Sequence, residues 1–143
     1  MDAIRNLLHR YADAVCRFDP EQWANTWAPD GIWEMPGRGR IEGRETIGET
    51  WSKIMSGMPA VFHVYFNGTA ELDEAGGTGT GRWYVGEFLA LETGTIAMYG
   101  YYDDEYVLVD GEWLFSTRTL TALYKGPADM SGQFMQAATE ESD

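Results

Sequence analysis

Three side chains of this sequence have the chemistry of a base or a nucleophile near neutral pH: His9, His63 and Cys16, its two histidines and its one cysteine. An imidazole exchanges protons in that range, and a thiol becomes a nucleophile when a neighbouring base ionises it. His63 lies among Phe62, Val64, Tyr65 and Phe66, which makes it a candidate pocket base. A core imidazole bonded to a backbone carbonyl is the alternative. Cys16 flanks a helical apolar stripe near His9, where a nucleophile ionised by His63 and a half-buried structural thiol are the two readings. Arg118, amid Phe115, Leu120 and Leu123, needs an acceptor if it faces inward, and a bound anion or developing negative charge would supply one. These side chains are too few for a zinc site, so any metal would have to be held by carboxylates.

The elements that must position these groups come in two blocks. Ile4, Leu7, Leu8, Tyr11, Val15 and Phe18 recur at helical spacing and predict an amphipathic first helix. Asp19-Pro20-Glu21-Gln22 restarts a short helix, with Asp19 as cap and Pro20 at the first helical position, burying Trp23 and Trp27. Ala28-Pro29-Asp30-Gly31 is breaker chemistry, Ile32 to Met35 a short strand, and Gly37 to Arg40 a flexible loop. Ile47, Trp51, Ile54 and Met55 indicate a third helix from Arg44 to about Met55.

After Pro59 the chain reads as strands. Val61 to Leu72 alternates, with His63, Tyr65 and Asn67 on one face and Val64 and Phe66 on the other. Further strands follow over Arg82–Leu91, Thr95–Val109 and Glu112–Tyr124, the last two joined by the hairpin signal Asp110-Gly111. Gly86 and Gly100 inside strand patterns predict bends or bulges. Helices first and a long antiparallel sheet afterwards make an α+β layout in which helices cover one face of a bent sheet and enclose a pocket. Residues 1–125 form the domain, and 126–143 a polar, flexible tail.

The composition bounds the partners. The 143 residues carry a net charge of −13, which repels nucleic acid and anionic lipid alike. No apolar run approaches the ~20 residues of a membrane span, and Met1 to Tyr11 does not read as a signal peptide, so the expectation is a cytoplasmic protein. Six Trp, eight Tyr and six Phe supply many rings. Trp33, Trp51, Tyr65, Trp83, Tyr99 and Tyr101 are candidates for an aromatic pocket wall, each also open to reading as core or subunit interface. Three weaker signals are set aside. They are the sequon Asn67-Gly68-Thr69, the glycine-rich turn Gly76–Gly81, which no Lys follows, and the charge run Asp103-Asp104-Glu105.

The segment Leu7-Leu8-His9-Arg10-Tyr11-Ala12-Asp13-Ala14-Val15, followed by Asp19, Trp23, Trp27, Ala28, Asp30-Gly31 and Gly43-Arg44, resembles the SnoaL-like branch of the nuclear-transport-factor-2-like superfamily. The late hairpin from Asp104-Glu105-Tyr106 through Asp110-Gly111-Glu112-Trp113-Leu114-Phe115 is similar to the same branch, near scytalone dehydratase and hexachlorocyclohexane dehydrochlorinase. The resemblance spans Met1 to about Tyr124 and implies a cone-shaped, strongly curved antiparallel (mixed) sheet wrapped around the N-terminal helices. Because this scaffold carries many activities, it implies a fold more sharply than a reaction.

Members with dehydratase or dehydrochlorinase activity use a His–Asp dyad. By resemblance the dyad His falls on His63, while the dyad Asp falls on Cys16, which as a thiol is a poor acceptor. His63 would then need another carboxylate, such as Glu34 or Glu87. The resemblance also puts Arg118 at a pocket arginine that supports the leaving group, Tyr11 at the oxyanion tyrosine of ketosteroid isomerase, and Tyr99 near a second pocket histidine of scytalone dehydratase. The isomerase's own carboxylate would fall near Met35, which joins the substrate-binding candidates. It further implies a cofactor-free, metal-free lyase or isomerase acting on a small apolar cyclic molecule, and a homodimer. A noncatalytic ligand-binding protein that lost the dyad is the alternative.

Overall fold

The computed structural model describes residues 1–129 and 132–134. Helix α1 (Asp2–Arg17) buries Ile4, Leu7, Leu8, Tyr11, Ala14 and Val15, the stripe that its spacing predicts. Phe18 departs from that stripe: it ends the helix in the left-handed region at φ 56° and is partly exposed. Helix α2 (Pro20–Ala24) starts as expected, with Asp19 Oδ1 accepting from the Gln22 amide at 3.0 Å. The Gln22 side chain instead donates to the Arg10 carbonyl and to Asp13, which pins α2 to α1.

Strand β1 (Trp27–Met35) begins earlier than the breaker residues suggest. Trp27 pairs with Phe115 and Ile32 with Thr117, so Ala28–Gly31 is absorbed as a bulge rather than a separate turn. The expected loop at 37–40 is partly strand: β2 (Gly39–Glu42) folds back on β1 across a turn with Gly37 and Gly39 at positive φ. Helix α3 (Arg44–Met55) buries Ile47, Trp51 and Met55.

The remaining strands are β3 (Ala60–Asp73), β4 (Thr78–Leu91), β5 (Gly94–Val109) and β6 (Glu112–Gly126), with a short β7 (Gln133–Phe134) on β6. The order is β2-β1-β6-β5-β4-β3, with β1 parallel to β6 and the other pairs antiparallel. The fold is thus α+β, with a curved, unclosed mixed sheet whose inner face receives the N-terminal helices. Asp110 and Gly111 both have positive φ, the two-residue hairpin turn that their sequence signals. Of the predicted tail, β7 is ordered on β6, and residues 130–131 and 135–143 lie outside the described residues.

Further bulges, between Tyr65 and Gly68, beside Gly100 and between Glu105 and Tyr106, correct the simple alternation. Between Tyr65 and Gly68 the register shifts, so Ala70 and Leu72 rather than Asn67 continue the core face. A second shift beside Gly100 bears out the bulge expected there, and a side chain at Gly100 would strike the Thr121 carbonyl. Gly86 lies in regular register and instead leaves room for the rings of Phe66 and Tyr99. Among the described residues no helix is long and apolar enough to cross a membrane.

Candidate functional site

Antiparallel pairing sets His63 of β3 directly opposite Glu87 of β4, both on the inner face. His63 Nδ1 lies 2.7 Å from Glu87 Oε2, within reach of a charge-assisted hydrogen bond. The imidazole is buried at 1% side-chain exposure, whereas Glu87 retains 23%. With the Nδ1 hydrogen donated to the carboxylate, Nε2 carries a lone pair, and that nitrogen is buried without a partner among the described residues. The rings of Tyr11, Tyr65 and Tyr102 stand around it at centroid distances of 5.4, 5.0 and 6.4 Å.

Cys16 approaches the same residue from α1 but touches its backbone. The His63 amide donates to Sγ at 3.4 Å. Because β3 is the terminal strand of the sheet, the thiol closes an open backbone edge where no neighbouring strand is available. The carboxylate partner is Glu87 and not Glu34, whose Oε1 accepts from Thr119 on another part of the sheet.

A cavity of about 250 Å³ opens beside this pair, between α1, α3 and the inner sheet. Its wall is mostly apolar, with Val15, Trp33, Met35, Trp51, Met55, Met98 and Leu120 prominent, and its polar end consists of Tyr11, Tyr102 and Glu87. His63 is not on the wall itself but lies directly behind those three. Trp33, Met35, Trp51 and Tyr11 therefore line the cavity as expected from the sequence.

Four other candidates sit elsewhere. Tyr99 packs against Phe66, Phe88 and Tyr124, and Tyr101 against Tyr84 and the Arg82 guanidinium, all on the outer face of the sheet. One-residue strand parity decides this, because Met98 and Tyr102 take the inner positions. Trp83 is core, its indole N–H donated to Tyr106 at 3.0 Å. Tyr65 accepts from Arg118 Nη1 at 2.7 Å, which turns its hydroxyl away from the cavity wall and into a buried polar network.

Arg118 faces inward, fully buried, and its acceptor belongs to the protein. Nε and Nη2 clasp Asp104 at 2.7 and 3.1 Å, and Asp104 also accepts from Tyr106 at 3.0 Å. The guanidinium stacks on Tyr102 and Phe115 at 3.7 and 4.1 Å to the ring centroids. The expected anion subsite is thus filled by Asp104. Burial raises the Asp104 carboxyl above the ordinary carboxylate range, with Arg118 opposing the rise. Burial also pushes the Tyr11 phenol up to about 12, against the pull of Arg118. The Tyr11 phenol therefore keeps its proton at the cavity end.

A model of the SnoaL-like domain matches residues 1–119. The chain belongs to the SnoaL-like family. Solved structures share the fold of this SnoaL-like protein. One is Rv3472 of Mycobacterium tuberculosis, a protein of unknown function, at 28% identity and TM-score 0.76 over 84% of this chain and 69% of that one. Another, described as a candidate scytalone dehydratase from Novosphingobium aromaticivorans, has 21% identity and TM-score 0.83 over 96% and 93%. A third, a hexachlorocyclohexane dehydrochlorinase (LinA) from Novosphingobium barchaimii, has 23% identity and TM-score 0.78 over 94% and 92%. Among curated proteins none matches the chain.

From the sequence Glu87 is only one of two possible partners for His63, and Tyr102 and Asp104 are not among the expected site residues. The signal for Glu87 was present: a lone carboxylate alternates inward within the apolar strand β4. Its pairing with His63 depends on the β3/β4 register, which no local pattern specifies.

Proposed function

We propose that this protein is a small-molecule lyase or isomerase in which His63 and Glu87 together move a proton on an apolar cyclic substrate. The observation that carries the reading is the 2.7 Å contact between a buried imidazole and a carboxylate lining an otherwise apolar cavity. Glu87 holds the Nδ1–H tautomer and balances the charge that forms on the ring, leaving Nε2 as the base. A substrate reaches Nε2 by displacing the Tyr11 or Tyr102 ring that covers it from the cavity side. In an elimination, the C–H electron pair becomes the new C=C bond, the proton passes to Nε2 and chloride or hydroxide departs. In an isomerisation the same proton returns at another carbon while Tyr11 donates to the oxygen gaining charge. No step calls on a metal or a cofactor.

Chloride release from hexachlorocyclohexane, water loss from scytalone and proton–deuterium exchange of cyclic ketones in heavy water test the reading together. Turnover of at least one class, lost in His63→Ala, is the expected result. Turnover unchanged in His63→Ala overturns it.

A second reading has its own observation: Nε2 is closed off from the cavity, and Cys16, where the resemblance implies the dyad carboxylate, touches only the His63 backbone. A ligand-binding protein without chemistry would show saturable binding and no exchange on any of these compounds. The outer sheet face, where Phe62 and Phe66 on the terminal strand β3 are 66% and 58% exposed, supports the homodimer.

A further inference from the structure

The rim of the cavity differs from its wall. Its exposed lining residues are Pro36 and Arg38, from the turn between β1 and β2, and Lys125, near the end of β6. Among the described residues neither cation has a side-chain hydrogen bond or ion pair, although Arg17, Arg40, Arg82 and Arg118 are all paired with carboxylates. The one carboxylate on the cavity wall, Glu87, is engaged with His63, two strands across the sheet from Lys125. In a chain of net charge −13, an anion approaches most surfaces against repulsion. Two cations with no carboxylate partner among the described residues stand on one rim and attract an anion there.

We propose that the cavity takes an amphipathic anion, an apolar ring bearing a carboxylate or similar anionic oxygen group. The ring lies against Trp33, Trp51 and Met98, and the anionic group sits at the rim between Arg38 and Lys125. The inference rests on the cavity being the ligand site, as in the proposed function, but not on the chemistry of His63. It also orients the ligand, with the charged end outward and the apolar end toward Glu87. A neutral ligand would draw nothing from the rim charges.

Calorimetric titration with 2-naphthoate and its neutral isostere 2-naphthamide tests the proposal. Two partly exposed ion pairs predict roughly tenfold tighter binding of the naphthoate at low salt, with the gap narrowing as salt is added. In Arg38→Gln/Lys125→Gln the gap closes. Equal binding of both probes by the unaltered protein overturns the inference alone. A double variant that weakens both probes equally also overturns it, because the aliphatic stems then merely cover the apolar rim. If neither probe binds, the inference falls together with the reading of the cavity as the ligand site. Loss of turnover in His63→Ala is read separately and bears only on the dyad.

Discussion

The sulfur of Cys16 meets the peptide of His63 and not its ring: the amide donates to Sγ at 3.4 Å, and the thiol faces the His63 carbonyl oxygen at 4.0 Å. Cys16 is thus a clamp on the edge of β3, and the carboxylate beside the His63 ring comes from β4. Cys16→Ala is therefore expected to lower stability by about 1 kcal/mol, from one weak half-buried contact and a small void, while leaving any turnover within a few-fold. Thermal denaturation alongside the activity assay checks this. A Cys16→Ala protein that folds normally yet has no turnover would show that the thiol takes part in the chemistry.

Glu87→Gln keeps the shape of the side chain and removes its charge. The imidazole loses both its fixed tautomer and the counter-charge for its protonated form, so turnover should fall roughly 10²-fold or more. Because the two residues act as one unit, His63→Ala/Glu87→Gln should be little worse than His63→Ala alone. Steady-state kinetics on the four proteins gives the comparison, and additive losses would mean that the two side chains work independently.

The Asp104–Arg118 pair is a matter of stability. Removing one partner leaves a buried charge uncompensated, so Asp104→Asn or Arg118→Met should cost about 3–5 kcal/mol in urea unfolding. Asp104→Asn/Arg118→Met should recover much of that loss, since no charge is then left stranded. A surface-like loss below about 1 kcal/mol in either single variant would contradict the pairing.

Alkaline stability should follow the buried phenols. Tyr11 is raised from 10.0 to about 12 by burial, so the folded state holds its proton more tightly than the unfolded chain. The corresponding stability is complete below pH 10 and is lost as pH rises toward 12. Burial raises Tyr65 and Tyr102 in the same direction. Tyr11→Phe should therefore soften the alkaline loss of stability between these values. Phenolate absorbance and circular dichroism followed together measure it, and titration of every tyrosine near pH 10 in the folded protein would refute it.

The exposed rings of Phe62 and Phe66 predict their own phenotype. Phe62→Glu/Phe66→Glu should yield a folded monomer from a dimeric parent in analytical ultracentrifugation. Unchanged sedimentation would place any subunit contact elsewhere.

Much of the fold was legible because its signals are local. The stripe Ile4–Val15, the Asp19-Pro20 start of α2 and the Asp110-Gly111 turn each express a backbone preference that neighbouring residues satisfy by themselves. The bulge that swallows Pro29 and the one that displaces Asn67 were not legible, because a bulge is decided by the partner strand. Side-chain parity failed for the same reason at Tyr99 and Tyr101, where one residue of offset exchanges the cavity for the outer face.

By itself the sequence determined an acidic α+β chain of the SnoaL-like kind, with His63 as its strongest candidate base. Only the tertiary structure decided that Glu87 pairs with His63, that Asp104 pairs with Arg118, and that Arg38 and Lys125 share a rim. Each of these joins side chains far apart in sequence. The strand pairing and sheet curvature that bring them together come from packing of the whole chain, not from any local run of residues.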